Sequence, residues 1–231
     1  MGNILIKEKE IVVPGEDLAE GMDILPGEGC YRDENKIVAS KLGLAKISGR
    51  LIKIIPLSGK YMPKTDDVVI GKITEILMMG WRVDINCAYP SMLSLRDASS
   101  EYIAKGADLS KFFKIGDYVV AKITQVTSQK LIDLNAKGPG LYKLTGGRII
   151  YVKPTKIPRI IGKAGSMVNL IKEKTGAKIT AGQNGVVWIQ ADPKMELIVV
   201  EAIRMIEQKA HTDGLTDKIK EFLDNAVKGG N

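Results

Sequence analysis

The spacing of apolar residues changes once along this 231-residue chain, near Gly147, and that change limits what it can fold into. Upstream, apolar residues come in short runs cut by Gly and Pro, the pattern of strands and tight turns. Downstream, they fall at i, i+3 and i+4, the period of one helix face. The length suits two or three compact modules. The expectation is a multi-domain protein with β domains first and an α+β domain last.

In residues 1–60, Ile11-Val12-Val13 runs into Pro14-Gly15, and Pro26-Gly27-Glu28-Gly29 makes a turn. Ile37-Val38-Ala39 and Leu51–Ile55 read as further strands, the latter closed by Pro56. Nine basic and nine acidic residues balance here, which suits a small β domain in contact with protein. Residues 65–135 read as five strands: Val68–Ile76, Trp81–Ile85, Ser91–Leu95, Asp117–Val126 and Leu131–Leu134. In the second, Trp81, Val83 and Ile85 share one face and Arg82 and Asp84 the other. Five such strands suit an OB-type barrel.

Beyond Gly147, Arg148–Val152 is a strand. Ile157, Ile160 and Ile161 precede Gly162-Lys163-Ala164-Gly165, and Met167, Val168, Leu170 and Ile171 follow it at helical spacing. Ala177–Ala181 and Val186–Ile189 are strands joined by Gly182-Gln183-Asn184-Gly185, a hairpin signal. Leu197, Val200, Ile203 and Ile206 stripe a helix that starts at Asp192-Pro193. Leu215, Ile219, Phe222 and Leu223 stripe a last one. The expected boundaries are an N-terminal β domain over 1–62, a five-stranded barrel over 63–140, and an α+β domain with an extra C-terminal helix over 141–231.

Hydrophobic residues make up 45% of the chain, enough for cores without staples. Cys30 and Cys87 form no CxxC pair, which excludes a zinc ribbon and a disulfide scaffold and suits two buried thiols in a reducing compartment. No apolar run reaches the roughly 18 residues of a membrane span. Ile4–Ile6 is followed at once by Lys7, Glu8, Lys9 and Glu10, unlike a signal peptide. A cytoplasmic protein, away from membranes, is expected. The net charge of +7 is unevenly placed. Residues 141–182 hold nine basic residues and one acidic, a local +8 that leaves the remainder at −1. Such confinement points to a polyanion site.

The Gly162–Gly165 loop sits inside that segment, between two helical stretches. Glycine supplies the backbone angles that such a joint needs, and without a Cβ it lets a phosphodiester lie against the peptide. A helix starting near Ser166 would aim free N–H groups at that phosphate. Lys163 would add charge, and Ile157, Ile160, Ile161 and Val168 would floor a groove for bases. Lys156, Arg159 and Lys178 flank it.

With Thr175-Gly176-Ala177-Lys178-Ile179 closing the second helix, residues 147–210 resemble a KH domain, a family that clamps about four nucleotides of single-stranded RNA with this loop. The resemblance implies RNA contacts at Lys156, Arg159, Ile160, Ile161, Gly162, Lys163, Ala164, Gly165 and Lys178. The barrel segment resembles the RNA-binding domain named for ribosomal protein S-one, through Gly71-Lys72-Ile73-Thr74, Gly80-Trp81-Arg82-Val83 and Met92-Leu93-Ser94-Leu95. That family stacks bases on aromatics whose matched positions here are Met79, Arg82 and Ser94, so contact by the barrel would rest on Lys72, Arg82 and Arg96. Trp81 reads as core.

The N-terminal segment carries Val13-Pro14-Gly15-Glu16, Ile55-Pro56-Leu57-Ser58-Gly59-Lys60-Tyr61 and Asp67–Gly71, and the C-terminal one Ala210–Asp217. With these, nearly the whole chain resembles the archaeal exosome cap subunit that combines both RNA-binding domains. The resemblance implies a non-catalytic protein, in three copies on a hexameric ring of RNase PH-like subunits, that recruits single-stranded RNA and feeds its 3′ end to phosphorolysis. A free-standing RNA-binding protein is the alternative. Neither a catalytic constellation, nor a metal site, nor a cofactor is expected: His211 is the only histidine and no two-metal carboxylate cluster occurs.

Overall fold

The structure is a computed structural model that describes residues 2–228 apart from Tyr102, Lys105, His211 and Asp213. His211, weighed above as a catalytic candidate, therefore lies outside the described residues. The chain forms two compact units, Met1–Gly59 and Lys60–Asn231.

The first unit is a pair of small sheets. Its strands are β1 (Asn3–Ile4), β2 (Ile11–Val12), β3 (Asp17–Glu20), β4 (Leu25–Pro26), β5 (Cys30–Asp33), β6 (Lys36–Ala39), β7 (Gly43–Ser48) and β8 (Leu51–Pro56). They pair in the orders β1-β3-β6-β5 and β2-β7-β8-β4. Val12, Leu18, Ile37, Ala45, Ile52 and Ile54 are buried between them. The strands at Ile11, Ile37 and Leu51 match the sequence reading. β3, β5 and β7 do not announce themselves, because few strong apolar residues mark them: Leu18 beside Ala19 in β3, no fully buried residue in β5, and Gly43 and Ala45 as the buried residues of β7.

The second unit opens with the barrel: β9 (Val68–Leu77), β10 (Gly80–Asp84), β11 (Ser91–Ser94), the short helix α1 (Leu95–Ala98), β12 (Tyr118–Val126) and β13 (Ile132–Asn135). β13 pairs with both β11 and β12, which closes the five strands. β14 (Lys143–Leu144) adds to β12. Trp81, Val83 and Ile85 all point into the core, as their alternation predicts. Trp81 meets Phe113 edge-on at 5.3 Å, and its indole N–H donates to the Phe113 carbonyl at 3.1 Å.

The rest is α+β: β15 (Arg148–Tyr151), α2 (Ile157–Ile161), α3 (Ser166–Thr175), β16 (Lys178–Ala181), β17 (Val186–Gln190), α4 (Pro193–Lys209) and α5 (Leu215–Lys228). The sheet order is β15-β17-β16. The helices bury Ile157, Ile171, Ile203, Ile206, Ile219 and Leu223 against it. One stripe is rotated from expectation: Leu197 is 58% exposed, and Val199 and Ala202 take the inward positions of α4. The small Ala202 carries no strong hydrophobic signal, yet it lets the helix approach the sheet closely.

The other face of this sheet packs on the barrel. Ile70, Val120 and Leu144 meet Val186 and Trp188. The β16–β17 turn does more than reverse the chain. Asn184, fully buried, donates to the carbonyls of Ile70 at 2.8 Å and Ile85 at 2.9 Å and accepts from the Ile70 N–H at 3.3 Å. Gln183 accepts from the Val68 N–H at 2.6 Å and donates its own N–H to the Val68 carbonyl. Gly182 is required here, since a Cβ would lie 2.7 Å from the Ile70 nitrogen. The Tyr151 hydroxyl bonds that of Tyr118 across the same junction, and this bond, with burial, pushes its pKa up to about 12.

Candidate nucleic-acid interface

Three of the four loop residues have left-handed or otherwise positive φ: Gly162 at 78°, Ala164 at 52° and Gly165 at 81°. The two glycines are not equivalent. A Cβ on Gly162 would stand 2.6 Å from the Met167 nitrogen, so any side chain there displaces the start of α3. A Cβ on Gly165 would meet nothing nearer than the Asn169 side chain at 3.5 Å. Gly165 is thus the open position, where another chain can approach the backbone. Ala164 holds a conformation that costs an L-residue about 1–2 kcal/mol, local strain of the kind found at binding loops. α3 begins directly behind, with no side chain capping it. Its positive dipole end adjoins the loop, and the Ser166 N–H donates to the Lys163 carbonyl within it.

The flanking apolar residues divide. Ile157 and Ile160 are 1% and 0% exposed and belong to the core, which corrects the expectation that their side chains floor a groove. The joint between two helices has to be anchored, and residues three apart on α2 supply the anchor. Ile161 and Val168 are only partly buried and remain as apolar surface beside the loop.

Of the nine cations in residues 141–182, three are committed to ion pairs. Lys143 pairs with Asp117, Arg148 with Glu196 at 3.5 Å and Lys174 with Asp224 at 2.5 Å. Lys153, Lys156, Arg159, Lys163, Lys172 and Lys178 have no ion-pair partner among the described residues. Lys153, Lys156 and Arg159 lead into the loop, exposed Lys163 is in it, Lys172 follows on α3 and Lys178 sits on the edge strand β16.

In the barrel, Arg82 lies directly opposite Glu75 in the β9–β10 register and binds its carboxylate at 2.6 Å. Lys72 is exposed between its cross-strand neighbours Asp84 and Tyr118. Arg96 is exposed on α1 and lines a cavity of about 650 Å³ with Met79, Ser94, Leu95, Ile103 and Lys137. Lys137 escaped the sequence reading, because a single lysine after a strand carries no period. Two of the positions matched to stacking aromatics, Met79 and Ser94, thus line a cavity wall, and Trp81 is wholly internal.

Both cysteines are free and half-buried rather than fully buried, and burial pushes each thiol pKa up. Among the described residues, no three His, Cys, Asp or Glu side chains converge as a metal site, and no helix is long and apolar enough to cross a membrane.

Residues 9–58 match the exosome RNA binding protein RRP4 N-terminal domain, residues 60–105 the RRP4 S1 domain, and residues 148–208 the KH domain. The exosome complex component Rrp4 of Methanothermus fervidus is 44% identical over 97% of this chain and 100% of its own length. The chain belongs to the Rrp4 family. The Rrp4 of Thermococcus kodakarensis is 42% identical, over 96% of this chain and 88% of its own. A crystal structure provisionally described as that of an exosome complex RNA-binding protein superposes with a TM-score of 0.68 at 34% identity, over 75% of this chain and all of its own. The Rrp4 match spans all three regions read from the sequence, and its KH part contains the Gly162–Gly165 loop.

Proposed function

We propose that this Rrp4-family protein is a non-catalytic RNA-binding cap of an archaeal exosome. It holds single-stranded RNA at the Gly162–Gly165 loop and guides the 3′ end into a ring of RNase PH-like subunits, where phosphorolysis occurs. The observation that carries this reading is the loop itself: an open, positive-φ backbone at a helix start without a side-chain cap, in a segment where six cations have no ion-pair partner among the described residues. A phosphodiester complements the site, with its negative charge at the positive end of α3 and its oxygens as counter-charge for the lysines and arginines. Ile161 and Val168 offer bases an apolar wall. Lys72, Arg96 and Lys137 make the barrel a secondary contact. Residues 1–62 dock on the ring, in three copies, and two half-buried free thiols suit the cytoplasm.

The test uses end-labelled single-stranded RNA with phosphate and magnesium. The protein alone should retard the RNA without shortening it, and the RNase PH-like subunits of the same cell should degrade it faster once the protein is added. Shortening by the protein alone, at constant specific activity through purification, would refute the non-catalytic reading. Retardation with no effect on the ring would leave a free-standing RNA-binding protein.

A further inference from the structure

The outward face of the sheet β2-β7-β8-β4 has an order that the docking role does not by itself require. Cross-strand register lays its residues in three rows. Leu25, Leu51 and Ser48 make the first, Lys53 and Lys46 the second, and Ile55, Leu44 and Ile11 the third. The residues between them, Ala45, Ile52 and Ile54, point inward and are at most 3% exposed. Outward, Leu25 is 57% exposed, Leu51 37%, Ile55 48% and Ile11 61%. Single exposed aliphatics are ordinary, but here they line up in register on one face of one sheet.

The lysine row between them is the unusual part. Like charges directly opposite on neighbouring strands repel and cost stability. Neither Lys46 nor Lys53 has an ion-pair partner among the described residues. On its other side Lys53 faces Gly27, whose position would place a Cβ 3.0 Å from the lysine Cβ, so no side chain covers it there.

We infer that this face is a protein-docking surface built to receive an acidic side chain set among apolar ones, seated between Lys46 and Lys53. The inference rests on the reading that the N-terminal unit docks on the exosome ring, and it names the surface and the partner's chemistry. The apolar rows on both sides exclude water from the charge pairs and so strengthen them, and the carboxylate relieves the lysine–lysine repulsion. RNA fits the face poorly, because two lysines on a flat sheet offer a phosphodiester neither the open glycine backbone nor the helix start that the Gly162–Gly165 loop presents. A second copy fits it poorly as well, because a two-fold contact would bring four lysines together.

The experiment uses the full chain and the RNase PH-like subunits, mixed and resolved by size-exclusion chromatography at several salt concentrations. The wild type must co-elute with the ring; if it does not, the docking role itself falls and the face is not at issue. Given co-elution, the double variant Lys46→Glu, Lys53→Glu should weaken the complex at least about tenfold, as close interfacial charge pairs do. RNA retardation should stay unchanged. The double variant Lys46→Met, Lys53→Met removes the repulsion without adding charge and threatens the fold less. It should also weaken the complex and should flatten its salt dependence. A methionine variant that binds the ring as well as or better than wild type overturns the acidic-partner assignment, and so does a glutamate variant that still co-elutes fully.

Discussion

The KH region and the barrel are both small sheets with basic residues on them, and they treat those residues differently. In the KH region six cations have no ion-pair partner among the described residues, and one of them, Lys163, lies in a loop whose backbone is open. In the barrel Arg82 is held by Glu75 and Lys122 by Asp66 at 2.7 Å, while Lys72, Arg96 and Lys137 have no ion-pair partner among the described residues but sit on no such loop, and the one tryptophan is turned inward. Net charge by segment already separates the two regions, +8 over residues 141–182 against −1 for the remainder. Beyond that, what counts is how many charges remain uncommitted once the fold has formed, and whether backbone donors point the same way.

The two regions are also joined, and the joint is where the comparison can be broken most severely. Asn184→Ala strands the buried N–H and carbonyl of Ile70 and the carbonyl of Ile85. Each unsatisfied buried group costs about 1–3 kcal/mol, and with partial rehydration the total should reach about 3 kcal/mol. Urea unfolding followed by Trp81 and Trp188 fluorescence should show the lower midpoint, and the barrel and KH region should no longer unfold together. RNA retention by the folded variant should be nearly that of wild type, since Asn184 is remote in sequence from the loop and wholly buried. A midpoint unchanged from wild type would mean that the joint is held by Ile70, Val120, Leu144, Val186 and Trp188 alone.

That joint marks the limit of what the sequence discloses. Gly182–Gly185 is legible as a hairpin turn, because its composition is local information. Its use as a plug against β9 is not legible, because the groups that Asn184 satisfies lie about a hundred positions away in the chain. The same contrast runs through the site. The loop, the helix behind it and the cation cluster follow from spacing and composition. Which cations are neutralised, and that Ile160 is an anchor rather than groove floor, depend on partners brought in by folding: Asp224 for Lys174, Glu75 for Arg82, and the sheet for Ile160. β3 and β5 stay hidden because Asp17-Leu18-Ala19-Glu20 and Cys30-Tyr31-Arg32-Asp33 hold too few strong apolar residues to register as strands.

The two glycines of the loop sharpen the comparison next. Gly165→Asp has room, and aspartate tolerates the left-handed conformation better than most residues, so the protein should fold. It places a carboxylate where phosphate would lie. Losing one charge-assisted contact and adding repulsion should weaken single-stranded RNA binding by about 2 kcal/mol, near thirtyfold. Gly162→Asp should behave as a folding lesion instead, since its Cβ collides with Met167. Thermal melts beside filter binding separate the two. Wild-type affinity in a folded Gly165→Asp protein would move the RNA site away from the loop.

A smaller effect tests the idea of uncommitted charge directly. Lys163→Ala removes an unpaired cation and should lower the slope of log K against log salt by about 0.7, the single-strand value per phosphate. Lys174→Ala removes a cation already paired with Asp224, so the slope should hardly change. Equal changes in the two variants would show that net charge alone governs affinity.

The smallest effect belongs to the barrel. Arg82→Ala should alter RNA affinity by less than about twofold, because an exposed ion pair contributes little and the guanidinium is already satisfied by Glu75. Glu75→Gln is the more informative change. It keeps the size of the side chain, removes the carboxylate charge and leaves Arg82 as an uncommitted cation on the outer face of β10. If commitment is what silences Arg82, this substitution should raise affinity slightly and steepen the salt slope, by up to about 0.7 for one new phosphate contact. Adding Arg82→Ala to Glu75→Gln should then cancel the gain. A Glu75→Gln protein with an unchanged slope would mean that RNA on the KH loop never reaches Arg82, and that Arg82 is silent because of where it lies along the RNA rather than because its charge is paired.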